Sequence, residues 1–266
     1  SGHGGDGEEP GEERAHRATL LGLGLAGALL AACADPVSEL SEVYYRGPGA
    51  KVLCAVGVDH NRSDDDGIAL GLDRARDDGL VVQLYAHVPG RTVSVERIER
   101  ILAGARDRGL TYFTYDDFAD GAAASAGLAL SFDDAGIDEW WTIADLLDRY
   151  DARVTFFIAY YDGFTPAQRD LLRALAARGH AVAAHSVSHL RAPDYADRHG
   201  LEGYMRDEVR PGVESLRRDG HDPRVFAYPY GARTSELDRT ILAELALVRS
   251  VTFSRDSLVV VDPCPE

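Results

Sequence analysis

Residues 128–136 read L-A-L-S-F-D-D-A-G, an apolar run of strand length that ends on two adjacent carboxylates, Asp133 and Asp134, and then a glycine. In a sheet of parallel strands the active site forms at the C-terminal strand ends. A strand terminating in Asp-Asp therefore puts ionisable groups where chemistry is done. Two carboxylates this close repel when both ionise, so a cation or a proton must sit between them. One ligand and one free base is the natural division of labour. A solvated turn, with one aspartate capping the next helix, is the alternative.

The segments on either side keep alternating between strand and helix. Upstream, residues 51–58 are a short apolar run and residues 80–86 (L-V-V-Q-L-Y-A) read as a strand. Residues 95–108 have helical amphipathic period and stop before Gly109, and residues 112–115 read as strand. Downstream come a helix over 139–150, a β-branched and aromatic strand over 154–158 (V-T-F-F-I), and a helix over 166–178. That last helix has Thr165 as its N-cap, Pro166 at its first position and Gly179 closing it. A strand over 181–184 follows, then a helix over 203–219 that Pro211-Gly212 threatens to break. A strand over 225–228, a helix over 235–247 and strands over 251–253 and 258–261 complete the pattern. Alternation at this spacing means parallel βα units, hence a barrel or a doubly wound sheet. The charged stretch 59–67 (D-H-N-R-S-D-D-D-G) is out of calcium-loop register, with Asp64 at the turn-glycine position and Leu70 at the bidentate-glutamate position. It reads as a solvated loop.

Two further stretches carry chemistry. Residues 183–190 read A-A-H-S-V-S-H-L, directly after a short strand. On a helical turn, His185 and His189 would face the same way and share one cation. Neutral imidazole is a favoured ligand of zinc and similar metals, and a His₂Asp set leaves coordination places open, the mark of a catalytic site. Residues 226–231, F-A-Y-P-Y-G, end a strand in a Pro- and Gly-fixed turn whose N–H groups suit a developing oxyanion. An ordinary Pro-Gly loop is the alternative there.

In this order and spacing the three stretches resemble the polysaccharide deacetylases with a NodB-homology domain, carbohydrate esterase family four. The family's T-F-D-D-G corresponds to S-F-D-D-A-G at 131–136, its H-[S/T]-x-x-H to H-S-V-S-H at 185–189, and its R-x-P-Y-G to A-Y-P-Y-G at 227–231. The likeness covers residues 80–252 and implies a distorted (β/α) barrel. It implies that Asp134, His185 and His189 hold a divalent metal, zinc foremost, with cobalt or nickel as alternatives. Asp133 would be the general base, the backbone N–H of Tyr230 would serve the oxyanion, and Tyr228 and Pro229 would border the substrate. The substrate class implied is an N-acetylated glycan, peptidoglycan or a polymer of N-acetylglucosamine, ahead of O-acetylated xylan. Two departures stand out. Ala227 occupies the place of the motif arginine, which in the family orients the base, and no histidine follows His221, so the Leu-x-His motif that supplies the general acid is missing. His87, at the end of the strand over 80–86, is the best substitute, with a substrate-lining or structural role as its alternative. Trp140, Trp141, Tyr160 and Tyr161 are candidates for stacking on sugar rings or for the core.

A net charge of −16 argues against a nucleic-acid partner, which needs clustered Lys and Arg. Residues 1–13 read as a disordered lead. Arg14 and Arg17 then precede an apolar run over 20–32, matching a secretory signal too short to span a membrane. Leu30-Ala31-Ala32-Cys33 resembles the bacterial lipobox, implying a lipid anchor at Cys33 and a place in the cell envelope, the outer membrane favoured because Ala34 follows. Residues 34–50 read as a linker and 51–266 as the deacetylase-like domain. Export permits a disulfide between Cys54 and Cys264, while the apolar surroundings of Cys54 suit a buried free thiol equally. Two rival functions remain: a catalytically silent glycan-binding lipoprotein on the same fold, and a His₂Asp phosphoesterase, which would need a second metal cluster.

Overall fold

Strands that are apolar on both faces must be covered on both sides, and a parallel sheet wrapped by helices meets that need. The computed structural model describes residues 43–252, all within the unit Ala34–Glu266. Its strands are β1 (Tyr44–Tyr45), β2 (Val52–Gly57), β3 (Val81–Ala86), β4 (Thr111–Tyr112), β5 (Gly127–Asp134), β6 (Thr155–Ile158), β7 (Ala181–Ala184), β8 (Val225–Ala227) and β9 (Leu247–Thr252). In the order β2-β9-β8-β7-β6-β5-β3, seven strands pair in parallel, and β3 pairs with both β5 and β2 to close the ring. This is the distorted (β/α) barrel expected from the sequence. β1 adds an antiparallel edge against β3, and β4 pairs with the start of β5.

The helices are α1 (Asp65–Asp78), α2 (Val95–Asp107), α3 (Tyr115–Ala119), α4 (Ile137–Thr142), α5 (Ala144–Arg149), α6 (Pro166–Ala177), α7 (Ala192–His199), α8 (Leu201–Tyr204), α9 (Arg210–Arg218) and α10 (Ser235–Leu242). Period-two alternation sorts the strand residues into two layers. Leu53, Val81, Ala129, Phe157, Ala183 and Leu247 fill the barrel. Their neighbours Val52, Val82, Leu128, Phe156, Val182 and Val248 join the helix-covered layer with Ile68, Leu72, Ile98 and Leu175. Each Val, Leu, Ile or Phe among them contributes about 1.5–3 kcal/mol by leaving water.

Local chemistry overrides several sequence expectations. The solvated loop over 59–67 is shorter than its composition suggests. Asp64 accepts the Gly67 N–H at 2.6 Å and starts α1 inside the acidic run, and Asp59 is buried. The strand over 112–115 stops at Tyr112, because Thr114 and Asp117 form a capping box that opens α3. The helix over 139–150 is two short helices meeting at Ile143. Pro211 does not break the helix over 203–219. A proline ring crowds the carbonyl four residues earlier, and the π turn Met205–Val209 between α8 and α9 widens the backbone there. The helix expected over 235–247 ends at Leu242, and Leu247 already belongs to β9. Within the linker over 34–50, Tyr44 and Tyr45 form a buried strand. Cys54 is disulfide-bonded, so the free-thiol alternative fails. Cys264, the strand expected over 258–261 and the lead with Cys33 lie outside the described residues. Among the described residues, no helix is long and apolar enough to cross a membrane.

Candidate active site

Adjacent strand residues point to opposite faces, so Asp133 and Asp134 can share a site only if one leaves the strand conformation. Asp133 points into the barrel and is 2 % exposed. Asp134 takes φ 85° and turns its carboxylate to the mouth instead of into the helix layer. A non-glycine residue held there costs roughly 1–3 kcal/mol. The backbone is fixed by its carbonyl, which accepts the Ala159 N–H at 2.9 Å.

His185 follows β7 directly. Its Nδ1 lies 2.8 Å from the Ala227 carbonyl oxygen, and a carbonyl can only accept, so Nδ1 carries the proton. That leaves the Nε2 lone pair facing Asp134 Oδ1 at 3.5 Å, with His189 Nε2 3.1 Å from the same oxygen. One ligand atom from each of the three residues lies within 4.8 Å of the others. The two histidines do not sit on a helical turn. Ser186 (φ 68°) and His189 (φ 53°) are left-handed, and Ser186 Oγ accepts the His189 N–H at 2.9 Å. Two tight turns, not helical period, bring the imidazoles together.

The donor set fits a divalent cation. Asp134 Oδ1 is buried, no donor reaches it in hydrogen-bond geometry, and an imidazole lone pair faces it. Like-signed electron density arranged this way is repulsive until a cation lies among it, and two imidazoles with a carboxylate suit zinc and its neighbours. No second cluster of this kind occurs among the described residues.

Two further side chains border the aspartates, Arg249 beside Asp133 and His87 beside Asp134. Ala227 pairs with Arg249 across β8 and β9. Arg249 is fully buried, and its Nη2 donates to both oxygens of Asp133 at 2.6 Å. The Phe157 and Tyr85 rings flank its guanidinium at 4.6 and 5.3 Å. His87 follows β3, the strand that closes the barrel against β5. Its Nδ1 is 2.5 Å from Asp59 Oδ2 and its Nε2 is 4.0 Å from Asp134 Oδ2. Thr92 Oγ1 donates to Asp59 Oδ1 at 2.8 Å and keeps that carboxylate in place. Burial opposes protonation of His87, but the hydrogen bond to Asp59 and the surrounding carboxylates outweigh it and raise the pKa to about 8.

A cavity of about 260 Å³ opens over Asp133, Asp134, His87, His185 and His189, with Arg62 at its edge. Tyr230 and Tyr160, 60 % and 48 % exposed, flank the His189 ring at 4.7 and 6.1 Å. Of the two residues expected to border the substrate, Tyr228 is among those that line this cavity and Pro229 is not. The Tyr228 ring is buried with its hydroxyl donating to Asp238 at 2.9 Å, and Pro229 is buried under the turn. Trp140 is a brace and no platform: fully buried, it donates from Nε1 to the His87 carbonyl at 2.7 Å. Tyr161 is buried against Asp219, and Arg178 covers the Trp141 ring at 4.7 Å. Sequence reading passed over Asp59, Arg62 and Arg249. The signals were a carboxylate one residue past an apolar run and a lone cation inside L-V-R-S-V-T.

Comparison with known proteins agrees with this architecture. Residues 120–248 match a family model described as polysaccharide deacetylase. That stretch holds Asp133, Asp134, His185, His189 and Tyr230, and leaves Asp59, His87 and Arg249 outside it. IcaB from Ammonifex degensii superposes with a TM-score of 0.52 at 18 % identity, over 66 % of this chain and 87 % of that one. The de-N-acetylase from Aggregatibacter actinomycetemcomitans gives 0.51 at 15 % identity, over 70 % and 90 %. The chitin deacetylase from the fungal pathogen Colletotrichum lindemuthianum gives 0.38 at 23 % identity, over 46 % of this chain and 54 % of that chain's length. No curated protein matches the sequence. The chain has the (β/α) barrel fold of the deacetylases.

Proposed function

We propose that this chain belongs to the polysaccharide deacetylases and is a metal-dependent hydrolase that removes acetyl groups from an N-acetylated glycan. The observation that carries the reading is the convergence of Asp134, His185 and His189 beside the buried carboxylate of Asp133. Those three residues would hold a divalent cation, zinc by preference, which supplies Lewis-acid polarisation of the acetyl carbonyl and makes water acidic enough to attack near neutral pH. Asp133, oriented by Arg249, takes the proton of the attacking water on a carboxylate oxygen. The backbone N–H of Tyr230 donates to the oxygen that becomes negative. His87, protonated at neutral pH through Asp59, gives its Nε2 proton to the departing amine of the sugar. Against the silent-lipoprotein rival, which drew on a missing acid and a missing arginine, His87 and Arg249 support the reading as candidates for those two roles.

Lipidation at Cys33 is part of the same proposal and would tether the enzyme to a bacterial envelope, where such glycans lie. The test is acetate release from N-acetylglucosamine oligomers by the mature chain, beside Asp133→Asn and His185→Ala. Release by the wild type that falls by about 100-fold or more in Asp133→Asn, the low end of general-base contributions, supports the reading. Equal release by all three proteins sinks it.

A further inference from the structure

The segment that joins His185 to His189 has no helical bonding of its own and holds two left-handed residues. Something outside it must fix its shape. The contact comes from the π turn Met205–Val209, where Glu208 is a carboxylate only 3 % exposed. Glu208 Oε2 accepts the Ser188 N–H at 2.8 Å, and its backbone carbonyl accepts the Val187 N–H at 3.1 Å. From the other side the Val187 carbonyl accepts the Tyr160 N–H at 3.0 Å. Glu208 thus grips two consecutive amides immediately before His189, and π turns are found disproportionately at functional sites.

We propose that Glu208 is the positioning residue for the second histidine of the candidate metal centre. Its carboxylate fixes the Ser188 amide, which fixes the left-handed turn at His189 and so the direction of Nε2. The proposal rests on the reading that Asp134, His185 and His189 hold a cation.

The test is titration of the metal-free full chain with Zn²⁺ against a competing chelator, for wild type, Glu208→Ala and Glu208→Gln. Glu208→Ala should bind Zn²⁺ roughly 10–100-fold more weakly, the usual cost of losing a group that orients a ligand. Glu208→Gln should recover most of the affinity, because its amide oxygen can accept the same N–H. Amide hydrogen exchange on the metal-free wild type is the second measurement. The Ser188 amide should be protected there, and in Glu208→Ala it should exchange fast while the β5 and β7 amides stay protected. Unchanged Zn²⁺ affinity in Glu208→Ala overturns the proposal, as does a Ser188 amide that exchanges freely in the wild type. Should Glu208→Ala fail to fold, that wild-type amide decides alone. A wild type that takes up no Zn²⁺ instead overturns the metal reading, and the proposal falls with it.

Discussion

Replacing Asp59 by asparagine isolates one carboxylate while leaving the candidate ligands untouched. Burial alone would push His87 below its ordinary value, and the hydrogen bond to Asp59 is the first of the contributions that reverse this and bring it to about 8. In Asp59→Asn the imidazole should fall to or below the reference value near 6.5, a change worth about 2 kcal/mol. Asp59 binds Nδ1, on the opposite side of the ring from the Nε2 that faces Asp134, so this contribution persists when the ligands are loaded. As a general acid His87 works only when protonated. The alkaline limb of kcat/KM should therefore move down by more than one pH unit. Relative to wild type, the variant should lose activity progressively as pH rises above neutrality and change little at pH 6. The sign for stability agrees. A histidine raised in the folded state contributes stability that is complete below about pH 6.5 and is lost as pH rises through about 8. The assay is a pH–rate profile for acetate release by both proteins. An alkaline limb in the same place in the variant would refute the acid role of His87.

Two further predictions follow from the same geometry. Arg249→Met leaves Asp133 buried without its cation and should lower stability by about 3–5 kcal/mol, read by denaturant titration; a variant as stable as wild type would show that the pair is not what holds the barrel interior. Tyr160→Ala should raise KM for glycan oligomers about fivefold, the scale of one aromatic contact, and leave hydrolysis of a small acetyl ester unchanged; an equal effect on both substrates would place the ring in structure and not in sugar binding.

The barrel and the convergence of the three candidate ligands were legible because they obey local rules. An apolar strand ending in Asp-Asp, a strand followed by two histidines, and a Pro-Gly turn after a third strand each announce a site from their own residues. The mechanism behind the histidines was read wrongly, since helical period and a doubly left-handed loop both bring residues four apart to one side. Arg249 and Asp59 escaped for a different reason. Arg249 pairs with a residue 116 positions away, and the apolar pattern of its strand is clear only from Val251 onward. Asp59 lay in a run whose charge suggested solvent, and only closure of β3 onto β5 brings its partner His87 to Asp134. Barrel closure is a long-range event, and no local pattern records which strand will meet which.

The most direct test of the central claim is acetate release from an N-acetylglucosamine oligomer, measured while Zn²⁺ is added in steps to the metal-free chain. The account predicts that release is absent at the start, rises in proportion to added metal and levels off at one equivalent per chain. Release that is already complete in the metal-free chain, or a fully metal-loaded chain that releases no acetate, would contradict it.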